Sequence, residues 1–569
     1  METLKIAPEF RWHFLNADSP ANRAIAKEAG LPYVCAQILH NRKTTLKELD
    51  VSLNDLMRPE QLPDYEKARD AIFEARDKGH RVLVYGDYDA DGLCGTALLI
   101  RLLKHLEIDA IPFIPDRLAD GYSLGPKTLE LAQKENIELM ITVDNGTTAI
   151  NELRQLKEAG IKVIVVDHHQ AKEELPECTA LLNPWLISKN EEGEYPFFVE
   201  YCGAATAFIL AWGVMRDHYE EEKLKPSLRE FLADLLPYAA IATISDVMPL
   251  RGANRALVTA GLKRLPHSRF PGMAALAQTV FHNKDLVAAD IGFRIAPLIN
   301  AAGRLFQASA SIDLLLCDKK TEAQVLITKK TDLNEERKAL TQNQINLLMG
   351  KALEQHQAGK QAIVVGDHEA HFGVLGIVAA KIMEHTQLPT FCWAECNGGQ
   401  VKGSARVPKG QSAIQLLDSA ASVLNKYGGH NAAAGFELDI VDIETLKEKI
   451  HSAAGQDGPA PPPELLIDLE VSAQELGLST CKKINSFEPY GRDFPKPIFA
   501  ASKVLLTSTP RIVGASKNVM QFQLRQNDVD VRGVAFRFPE SYKKLEEGDT
   551  IDVAFEAELN HFRGRTTVQ

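Results

Sequence analysis

Apolar and polar positions along residues 64–166 follow two alternating patterns. Short apolar runs of four or five residues, typical of buried strands, are separated by stretches whose apolar residues recur every three or four positions, as in amphipathic helices. This alternation predicts an α/β domain with a doubly wound parallel sheet. The predicted helices cover 64–78, 94–106, 126–135 and 149–159, and the predicted strands cover 81–85, 110–114, 139–143 and 162–166.

Acidic side chains directly follow three of these predicted strands. They are Asp87, Asp89 and Asp91 after the first, Asp144 after the third, and Asp167 with His168 and His169 after the fourth. The carboxyl ends of parallel strands meet at one edge of a sheet, where ligands bind. Converging carboxylates repel one another unless a cation lies between them. A lone Asp after a strand is usually a helix cap or a turn residue, but that explanation has to hold three times here. The pattern therefore predicts a site for a hard metal ion, with solvated acidic turns as the alternative.

Composition narrows the class of protein. A chain of 569 residues should divide into about three or four domains. The net charge of −12 argues against a general polyanion binder, because phosphate binding needs clustered Lys and Arg. The eight cysteines include no CxxC pair, so neither a zinc site nor a disulfide framework is indicated. No leader-like N-terminus and no membrane-spanning apolar run are present, which predicts a cytoplasmic protein.

The sequence after the acidic motifs predicts four further segments of different secondary structure. Residues 321–357 contain no Pro and a single Gly, which predicts a long connecting helix. A second, smaller α/β unit follows from 361 to about 446, and the Pro- and Gly-rich residues 455–463 predict a linker. Five β-rich runs then predict a small barrel: 464–471, 500–507, 519–525, 531–538 and 550–557.

The C-terminal region differs in charge from the rest of the acidic chain. From residue 465 onward, 14 Lys and Arg balance 14 Asp and Glu. Several Arg and Lys alternate with Phe, a mixture that a groove for unpaired bases requires. They are Arg511, Lys517, Arg525, Arg532 and Arg537, with Phe522, Phe536 and Phe538. Alternating Phe in a barrel is also common in its core, so the groove is predicted without assigning particular aromatic residues.

Several successive motifs of this chain resemble those of a known protein superfamily. Gly-Asp-Tyr-Asp-Ala-Asp-Gly, Val-Asp-Asn-Gly and Asp-His-His resemble those of the DHH phosphoesterase superfamily. The resemblance continues through Leu-Asn-Pro184, Cys-Gly-Ala-Ala-Thr-Ala-Phe208, Ile-Ser-Asp246 and Asn-Ala-Ala-Gly-Arg304. Within the superfamily the chain resembles the single-strand-specific 5′ to 3′ DNA exonucleases from end to end, least in the first sixty and the last hundred residues.

The resemblance implies a set of site residues and two divalent cations, Mn²⁺ or Mg²⁺. The implied metal ligands are Asp89, Asp91, Asp144, His168 and Asp246. The implied catalytic residues are Asp87, His169 and His430. The implied substrate-binding residues are Arg117, Arg304, Ser404, Arg406 and Gly429. An imidazole among the ligands favours Mn²⁺ over Mg²⁺. From the sequence alone, Asp246 is only a polar residue after an apolar helical run, 235–244, so its role rests on the resemblance.

The resemblance also implies how the chain divides. The expected segments are an N-terminal cap (1–60), a DHH catalytic domain (61–318), a connecting helix (319–358), a DHH-associated substrate-binding domain (359–454), a linker (455–464) and an OB-fold-like β-barrel that binds nucleic acid (465–569). Two departures from the family pattern stand out. Ala370 occupies a position where the family commonly has Trp, and residues 489–495 replace its usual Gly-Asn-Pro turn.

The implied function is hydrolysis of single-stranded DNA from its 5′ end to mononucleotides, in DNA repair and recombination. The expected state is a monomer, with a single-strand-binding protein and a recombination helicase as partners. A DHH phosphodiesterase for short oligonucleotides or cyclic dinucleotides is the first alternative, although such enzymes need only the two α/β domains. A manganese pyrophosphatase fits the length less well. A non-catalytic DNA-binding scaffold is the third alternative, and such a relative is expected to have lost metal ligands.

Overall fold

The computed structural model describes residues 10–15, 26–27, 30–115, 124–125, 127–221, 223–280, 285–305, 309–396, 398–456, 462–514, 517–536, 538–562 and 564–569. The chain forms two compact units. The first comprises Met1–Phe113, Ser123–Ala296 and Glu464–Gln569, and the second comprises Ile114–Tyr122 and Pro297–Pro463. The bounds of the six predicted segments stay predictions. Within the described part of the chain, no helix is long and apolar enough to cross a membrane.

The strands are numbered in chain order. They are β1 (Arg11–Phe14), β2 (Val82–Gly86), β3 (Ala110–Phe113), β4 (Leu139–Val143), β5 (Lys162–Val166), β6 (Ala180–Leu182), β7 (Ile363–Asp367), β8 (Thr390–Cys396), β9 (Gln400–Arg406), β10 (Lys426–Gly429), β11 (Ala433–Asp439), β12 (Glu464–Ile467), β13 (Leu469–Glu470), β14 (Phe499–Val513), β15 (Val519–Gln526), β16 (Val529–Phe536), β17 (Thr550–Phe555), β18 (Leu559–Phe562) and β19 (Arg565–Val568).

The α-helices are numbered in the same way. They are α1 (Tyr33–Asn41), α2 (Leu46–Leu49), α3 (Tyr65–Lys78), α4 (Ala90–His105), α5 (Lys127–Lys134), α6 (Ile150–Glu158), α7 (Gly203–His218), α8 (Pro226–Ser245), α9 (Gly252–Arg264), α10 (Pro271–Gln278), α11 (Ala288–Asp290), α12 (Ala296–Arg304), α13 (Ser309–Leu316), α14 (Lys320–Gln357), α15 (Leu375–Thr386), α16 (Ala413–Asp418), α17 (Ile443–Gln456) and α18 (Leu478–Asn485).

The predicted parallel sheet is confirmed. Its strands lie in the spatial order β3, β2, β4, β5, β6, and every neighbouring pair is parallel. The chain winds from β2 outward to β3 and then returns to the other side of β2 to form β4. The winding therefore reverses between β2 and β4, and the carboxyl ends of strands at such a reversal form a ligand crevice.

Burial explains why the strands of this sheet are almost continuously apolar. Both faces are covered, so residues of either parity in β2, β4 and β5 have to be apolar. One face carries Leu83, Met140 and Val165 into a core with α5 and α6. Helices α3, α4 and α7 contact the sheet as well. The strands are thus fixed in register, and the residues that follow β2 and β4 are held by a rigid scaffold.

The C-terminal part of the first unit is a curled half-barrel. Strand β14 pairs with β17 through its first half and with β15 through its second half, with register shifts at bulges in both pairings. Such bulges bend a strand and increase its twist. Strands β13 and β16 complete the sheet. The predicted first barrel run was partly wrong: residues 464–467 pair in parallel with β1 instead, and only Leu469–Glu470 joins the half-barrel.

The N-terminal segment packs against this half-barrel region. Val34, Cys35, Ile38 and Leu39 of α1 share one buried core with apolar residues from the C-terminal part of the chain. Those residues include Leu469, Val471, Ile484, Phe487, Tyr490, Phe494 and Phe499. The first and last parts of the chain therefore fold together.

The second unit is built on a mixed sheet in the order β10, β11, β9, β8, β7. Only β7 and β8 are parallel, and the remaining neighbours are antiparallel. The long predicted helix is confirmed as α14. It packs with α15 against β7 and β8, so its buried residues cover one face of this sheet.

Candidate metal centre

The acidic run after β2 is held by the first turn of α4. Asp89 is the N-cap of this helix, and its carboxylate accepts hydrogen bonds from the amides of Asp91 (2.9 Å) and Gly92 (3.2 Å). This cap starts the helix four residues earlier than the apolar pattern predicts. Gly92 lies directly on the backbone of Asp87, because a Cβ at Gly92 would be 2.3 Å from the Asp87 nitrogen. The helix start and the strand end are therefore locked together.

Asp91 is buried at the N-terminus of α7. Its two carboxylate oxygens accept hydrogen bonds of 2.7 Å from the amides of Gly203 and Ala204. Helix N-termini favour negative charge, since their first amides have no partner within the helix. The motif Cys-Gly-Ala-Ala therefore positions a candidate ligand.

Asp144 follows β4 in a left-handed backbone conformation, with φ of 62°. This conformation is uncommon outside glycine and occurs often at functional sites. Gly203 allows the close approach of α7, because a Cβ there would lie 3.0 Å from the Cβ of Asp144. Asp144 is buried, and its Oδ1 lies 3.1 Å from Nε2 of His168.

Asp167 organises the residues after β5. Its Oδ1 accepts hydrogen bonds from the His168 amide (2.7 Å) and from Nδ1 of His169 (2.7 Å), while its Oδ2 accepts from the Thr147 amide (2.9 Å). Asn183 adds a further support, since its side-chain amide donates to the carbonyl of His169 at 2.8 Å. Asp167 and Asn183 therefore orient the two histidines.

Asp246 enters the cluster from the carboxyl end of α8, where it is the C-cap residue. Its Oδ2 lies 3.6 Å from Nε2 of His168. Because the carbonyl end of a helix carries partial negative charge, this location disfavours a carboxylate and favours a cation. The position of Asp246 is thus costly unless a positive charge is nearby.

All five implied metal ligands come together in the first unit. Three groups offer ligand atoms that lie within 4.8 Å of one another: Asp87, Asp89 and Asp144; Asp91, His168 and Asp246; and Asp144, Asp167, His168 and His169. Asp144 and His168 each belong to two of these groups, so neighbouring sites share ligands. Asp87, predicted as a catalytic residue, is also placed as a candidate ligand.

The electrostatics of the cluster suit a divalent cation. Burial, with repulsion among the carboxylates, raises the pKa of Asp91 and Asp144 above the usual range and that of Asp246 to about 8. Burial lowers the pKa of His168, which favours the neutral imidazole that metals bind. Carboxylate oxygens and one imidazole form a donor set that Mn²⁺ or Mg²⁺ accepts. The residues therefore fit the ions that the sequence predicts.

The pKa of His169 is shifted upward, in contrast to that of His168. Burial alone would lower its pKa, but the hydrogen bond from its Nδ1 to Asp167 and the nearby carboxylates raise this pKa to about 9. Burial would raise the pKa of Asp167, yet its hydrogen bond with His169 keeps that pKa below the ordinary range. In the protein without bound metal, this pKa favours the positively charged imidazolium of His169 at neutral pH.

The second unit brings Ser404 and Arg406 together on β9. Nη1 of Arg406 donates to Oγ of Ser404 at 2.9 Å. Both side chains lie beside Gly376 in the first turn of α15, since a Cβ there would be 2.7 Å from Nη2 of Arg406 and 3.3 Å from Oγ of Ser404. A guanidinium, a hydroxyl and a helix N-terminus form a suitable cradle for a phosphate.

His430 lies in the exposed turn between β10 and β11, where its amide donates to the Ala433 carbonyl at 2.8 Å. Gly429 precedes it with φ of 141°, which a side chain would not tolerate. Ala433 pairs with Arg406, so the turn is next to the Ser404–Arg406 cradle. Arg304 ends α12 in the same unit, and its carbonyl is in contact with Gly373. Arg117 lies outside the described residues.

Comparison with protein families matches three parts of the chain. Residues 81–241 match the DHH family N-terminal domain, residues 359–456 match the DHHA1 domain, and residues 467–569 match the RecJ OB domain. The single-stranded-DNA-specific exonuclease RecJ of Salmonella typhimurium is 30% identical over 561 residues, which cover 95% of each chain. The chain belongs to the RecJ family.

Other RecJ proteins agree with this assignment. RecJ of Thermus thermophilus is 39% identical over 445 residues, covering 77% of this chain and 61% of that protein. The crystal structure of Thermus thermophilus RecJ in complex with Mn²⁺ superposes with a TM-score of 0.82 at 32% identity, covering 98% of this chain and 78% of that one. A structure of the same protein with Mg²⁺ superposes with a TM-score of 0.77. The predicted fold is therefore confirmed, including the C-terminal OB domain.

Sequence reasoning missed the supporting residues of this RecJ-family centre. Asp167 was counted among the converging carboxylates, but its role in orienting the histidines was not predicted, and Asn183 stood in the motif Leu-Asn-Pro without an assigned contact. Two of the supporting contacts join residues 14 and 20 positions apart in sequence: Asn183 with His169, and Asp167 with Thr147. A buried Asp beside two His was the only signal that could have indicated the orienting role of Asp167.

Proposed function

We propose that this protein is a metal-dependent exonuclease that hydrolyses single-stranded DNA. The observation that carries the proposal is the cluster at the reversal point of the parallel sheet, where Asp144 and His168 are each shared between two groups of candidate ligands. Membership of the RecJ family supports DNA as the substrate. The complete set of acidic residues argues against a non-catalytic scaffold.

The proposed ligands for two divalent ions are Asp89, Asp91, Asp144, His168 and Asp246, with Asp87 as a further candidate. When bound, such ions would activate a water molecule and neutralise charge on the phosphate. The chain itself supplies rigid carboxylates: Asp89 is fixed by the start of α4 and Asp91 by the amides at the start of α7. These bonds keep the ligands in place without rearrangement.

His169 is proposed to act on the scissile phosphate rather than as a ligand. Its Nδ1 is engaged by Asp167, which fixes the ring and favours the charged form. A positive imidazolium beside the carboxylate cluster suits an interaction with phosphate oxygens. Asp167 and Asn183 act by orienting this ring.

The second unit is proposed to hold the nucleotide. Ser404 and Arg406 form the phosphate cradle for the 5′ end of the strand, and Gly429 and His430 belong to the adjacent turn. Arg304 and Arg117 are proposed as further phosphate contacts. A terminal 5′ phosphate is the group that such a cradle would bind, which agrees with hydrolysis from the 5′ end.

The half-barrel is proposed to bind the rest of the strand. Phe536 is 71% exposed at the end of β16, and Arg532 lies on the same strand, so an aromatic face and a guanidinium are both available for unpaired bases and phosphates. A single-strand-binding protein, a recombination helicase, a monomeric state, a cytoplasmic location and a role in DNA repair and recombination remain predictions that accompany this function.

The test is a substrate panel. The purified protein is incubated with Mn²⁺ and with end-labelled single-stranded DNA, duplex DNA, single-stranded RNA and a DNA dinucleotide, and the products are sized. We expect mononucleotides from single-stranded DNA, released first from the 5′ end, and far slower cleavage of duplex DNA. Preference for the dinucleotide over long DNA would instead support the short-substrate phosphodiesterase.

A further inference from the structure

The turn at residues 487–495 lies between β13 and β14 of the half-barrel in sequence but is attached to the catalytic part of the first unit. Arg255 on α9 is buried and donates hydrogen bonds to three consecutive carbonyls of this turn: those of Phe487 (2.6 Å), Glu488 (2.9 Å) and Pro489 (3.0 Å). Phe487, Tyr490 and Phe494 are themselves buried in the core shared with α1. The turn is therefore rigidly held.

This turn contacts the residues that follow Asp246. The Leu250 amide donates to the Arg492 carbonyl at 2.9 Å, and Nη1 of Arg492 donates to the Val247 carbonyl at 3.3 Å. Gly491 permits the contact, because a Cβ there would lie 2.5 Å from Cδ1 of Leu250. Residues 247–250 are thus fastened at both ends by the turn.

Val247 has an unusual backbone. Its φ is 54°, in the left-handed region that β-branched residues strongly avoid, and its side chain is 61% exposed. A strained residue of this kind persists only where its surroundings hold it. The hydrogen bond from Arg492 to its carbonyl provides such a restraint next to Asp246.

Arg492 reaches the residues after Asp246 from the surface of the turn, and its Nη1 donates to the Val247 carbonyl. Arg492 itself is exposed, so it does not form part of the core. The hydrogen bond to Val247 is therefore separate from the packing of that core.

We propose that Arg492 is a positioning residue of the metal centre. It holds the Val247 carbonyl and so fixes the carboxylate of Asp246 for metal binding, which makes the turn between β13 and β14 a part of the catalytic site. The proposal rests on the proposed function in one respect, namely that Asp246 is a ligand.

Metal binding by the whole protein tests the proposal directly. Isothermal titration with Mn²⁺ is compared for wild type, Arg492→Met, Arg492→Lys and Arg229→Met. Met keeps the apolar stem of Arg492 but removes its donors and its charge. Arg229 is an exposed Arg in the first turn of α8, at the end opposite Asp246, so it controls for loss of an Arg from the same unit.

We expect Arg492→Met to weaken binding of one Mn²⁺ by about three- to tenfold, the range for one lost hydrogen bond. Arg492→Lys should recover most of this affinity, because it retains the charge and a donor. Arg229→Met should bind like wild type. The Mn²⁺ concentration for half-maximal hydrolysis should rise by the same factor for a dinucleotide and for long single-stranded DNA.

Two results would overturn the inference. The first is wild-type Mn²⁺ affinity in Arg492→Met. The second is a loss confined to long DNA with unchanged Mn²⁺ binding, which would make Arg492 a DNA contact. Asp246→Asn distinguishes a failure of the proposed metal centre from a failure of the role of Arg492. Unchanged Mn²⁺ binding in Asp246→Asn would contradict the metal centre itself. Weakened Mn²⁺ binding in Asp246→Asn, together with wild-type binding in Arg492→Met, would contradict only the role of Arg492.

Discussion

At the residue scale, Gly92 determines how closely α4 approaches the end of β2. A Cβ at this position would meet the backbone of Asp87 at 2.3 Å, and backbone cannot move aside as a flexible side chain can. We expect Gly92→Ala to displace the acidic run and to abolish Mn²⁺ binding, as measured by titration calorimetry.

Gly350 provides the matched control for that substitution. It lies within α14, where an added Cβ would have no neighbour within 4 Å apart from the helix's own backbone. Gly350→Ala should leave Mn²⁺ binding unchanged and stabilise the protein by about 0.5–1 kcal/mol, because Ala has the higher helix propensity. Normal Mn²⁺ binding in Gly92→Ala would show that the close approach is unimportant.

The carboxylates of the centre predict a pH dependence. The pKa of Asp246 is raised to about 8, and those of Asp91 and Asp144 are also raised, so protons compete with a cation at neutral pH. In the metal-free protein these groups bind protons more tightly than in the unfolded chain, so their contribution to stability is present at low pH and is lost as the pH rises toward 8.

Added Mn²⁺ should reverse that trend. As protons leave, the affinity for the cation rises, so the increase in melting temperature caused by a fixed Mn²⁺ concentration should grow between pH 5 and about 8. Thermal melts with and without Mn²⁺ at each pH measure this difference. An increase that is independent of pH would contradict the coupling of metal and proton binding.

At the scale of secondary-structure elements, the sequence predicted those strand and helix bounds that local residue patterns determine. The bounds of β4 and β5 match the prediction, because both strands are buried runs between clear turn residues. Helix α4 begins earlier than predicted because Asp89 caps it, and α8 is longer because Pro226 starts it. Strand β12 was wrongly assigned to the barrel. Its partner is β1, more than 450 positions away in sequence, and no local pattern indicates so distant a pairing.

In the candidate site, too, local sequence patterns did not predict contacts between residues far apart in the chain. The residues that follow strands could be predicted to converge, because strand ends of a parallel sheet share one edge. The contacts of Arg492 with Val247 and Leu250 could not, since they join a turn to a loop about 245 residues away and no local pattern encodes them. Asp246 was assigned only through the resemblance for the same reason.

Helix α14 contains a buried charge that makes a separate prediction. Lys330 is 1% exposed, and its Nζ donates to Oγ of Ser311 at 2.6 Å. Burial lowers its pKa to about 7. The folded state therefore binds fewer protons at this group than the unfolded state above pH 7, so stability rises with pH from about 7 toward the usual lysine value of 10.5.

Lys330→Met should stabilise the protein most below pH 7, where wild type keeps the buried charge, and the gain should shrink at higher pH. Denaturant unfolding at pH 6 and pH 9 measures the difference. Lys329→Met is the control, because Lys329 is exposed on the same helix and its loss should have no pH-dependent effect. A pH-independent gain at Lys330 would contradict the buried ammonium.

At the scale of the whole molecule, the ends of the chain are joined by an ion pair between α1 and the half-barrel region. Arg42 donates to both carboxylate oxygens of Asp468, at 2.7 and 2.9 Å, and the two side chains are 9% and 5% exposed. We expect Arg42→Met to lower the free energy of unfolding by about 3 kcal/mol, because it leaves a buried carboxylate without its cation. Chemical denaturation measures this loss, with the exposed Lys47→Met as control.

This shared core also changes how the half-barrel can be tested. Removing residues 465–569 would expose α1 and release the turn that holds residues 247–250. Loss of activity on every substrate would then follow from structural damage alone. Point variants such as Arg492→Met therefore distinguish binding from folding, whereas the deletion does not.

Mn²⁺ binding and hydrolysis by Asp144→Asn are the sharpest test that this cluster is a catalytic metal centre, because Asp144 belongs to two groups of candidate ligands. We expect the loss of at least one bound Mn²⁺ and a fall in hydrolysis of single-stranded DNA by about a hundredfold or more, with the fold retained. Asp109→Asn, at an exposed position before β3, should change neither. Wild-type Mn²⁺ binding and wild-type hydrolysis in Asp144→Asn would contradict the account.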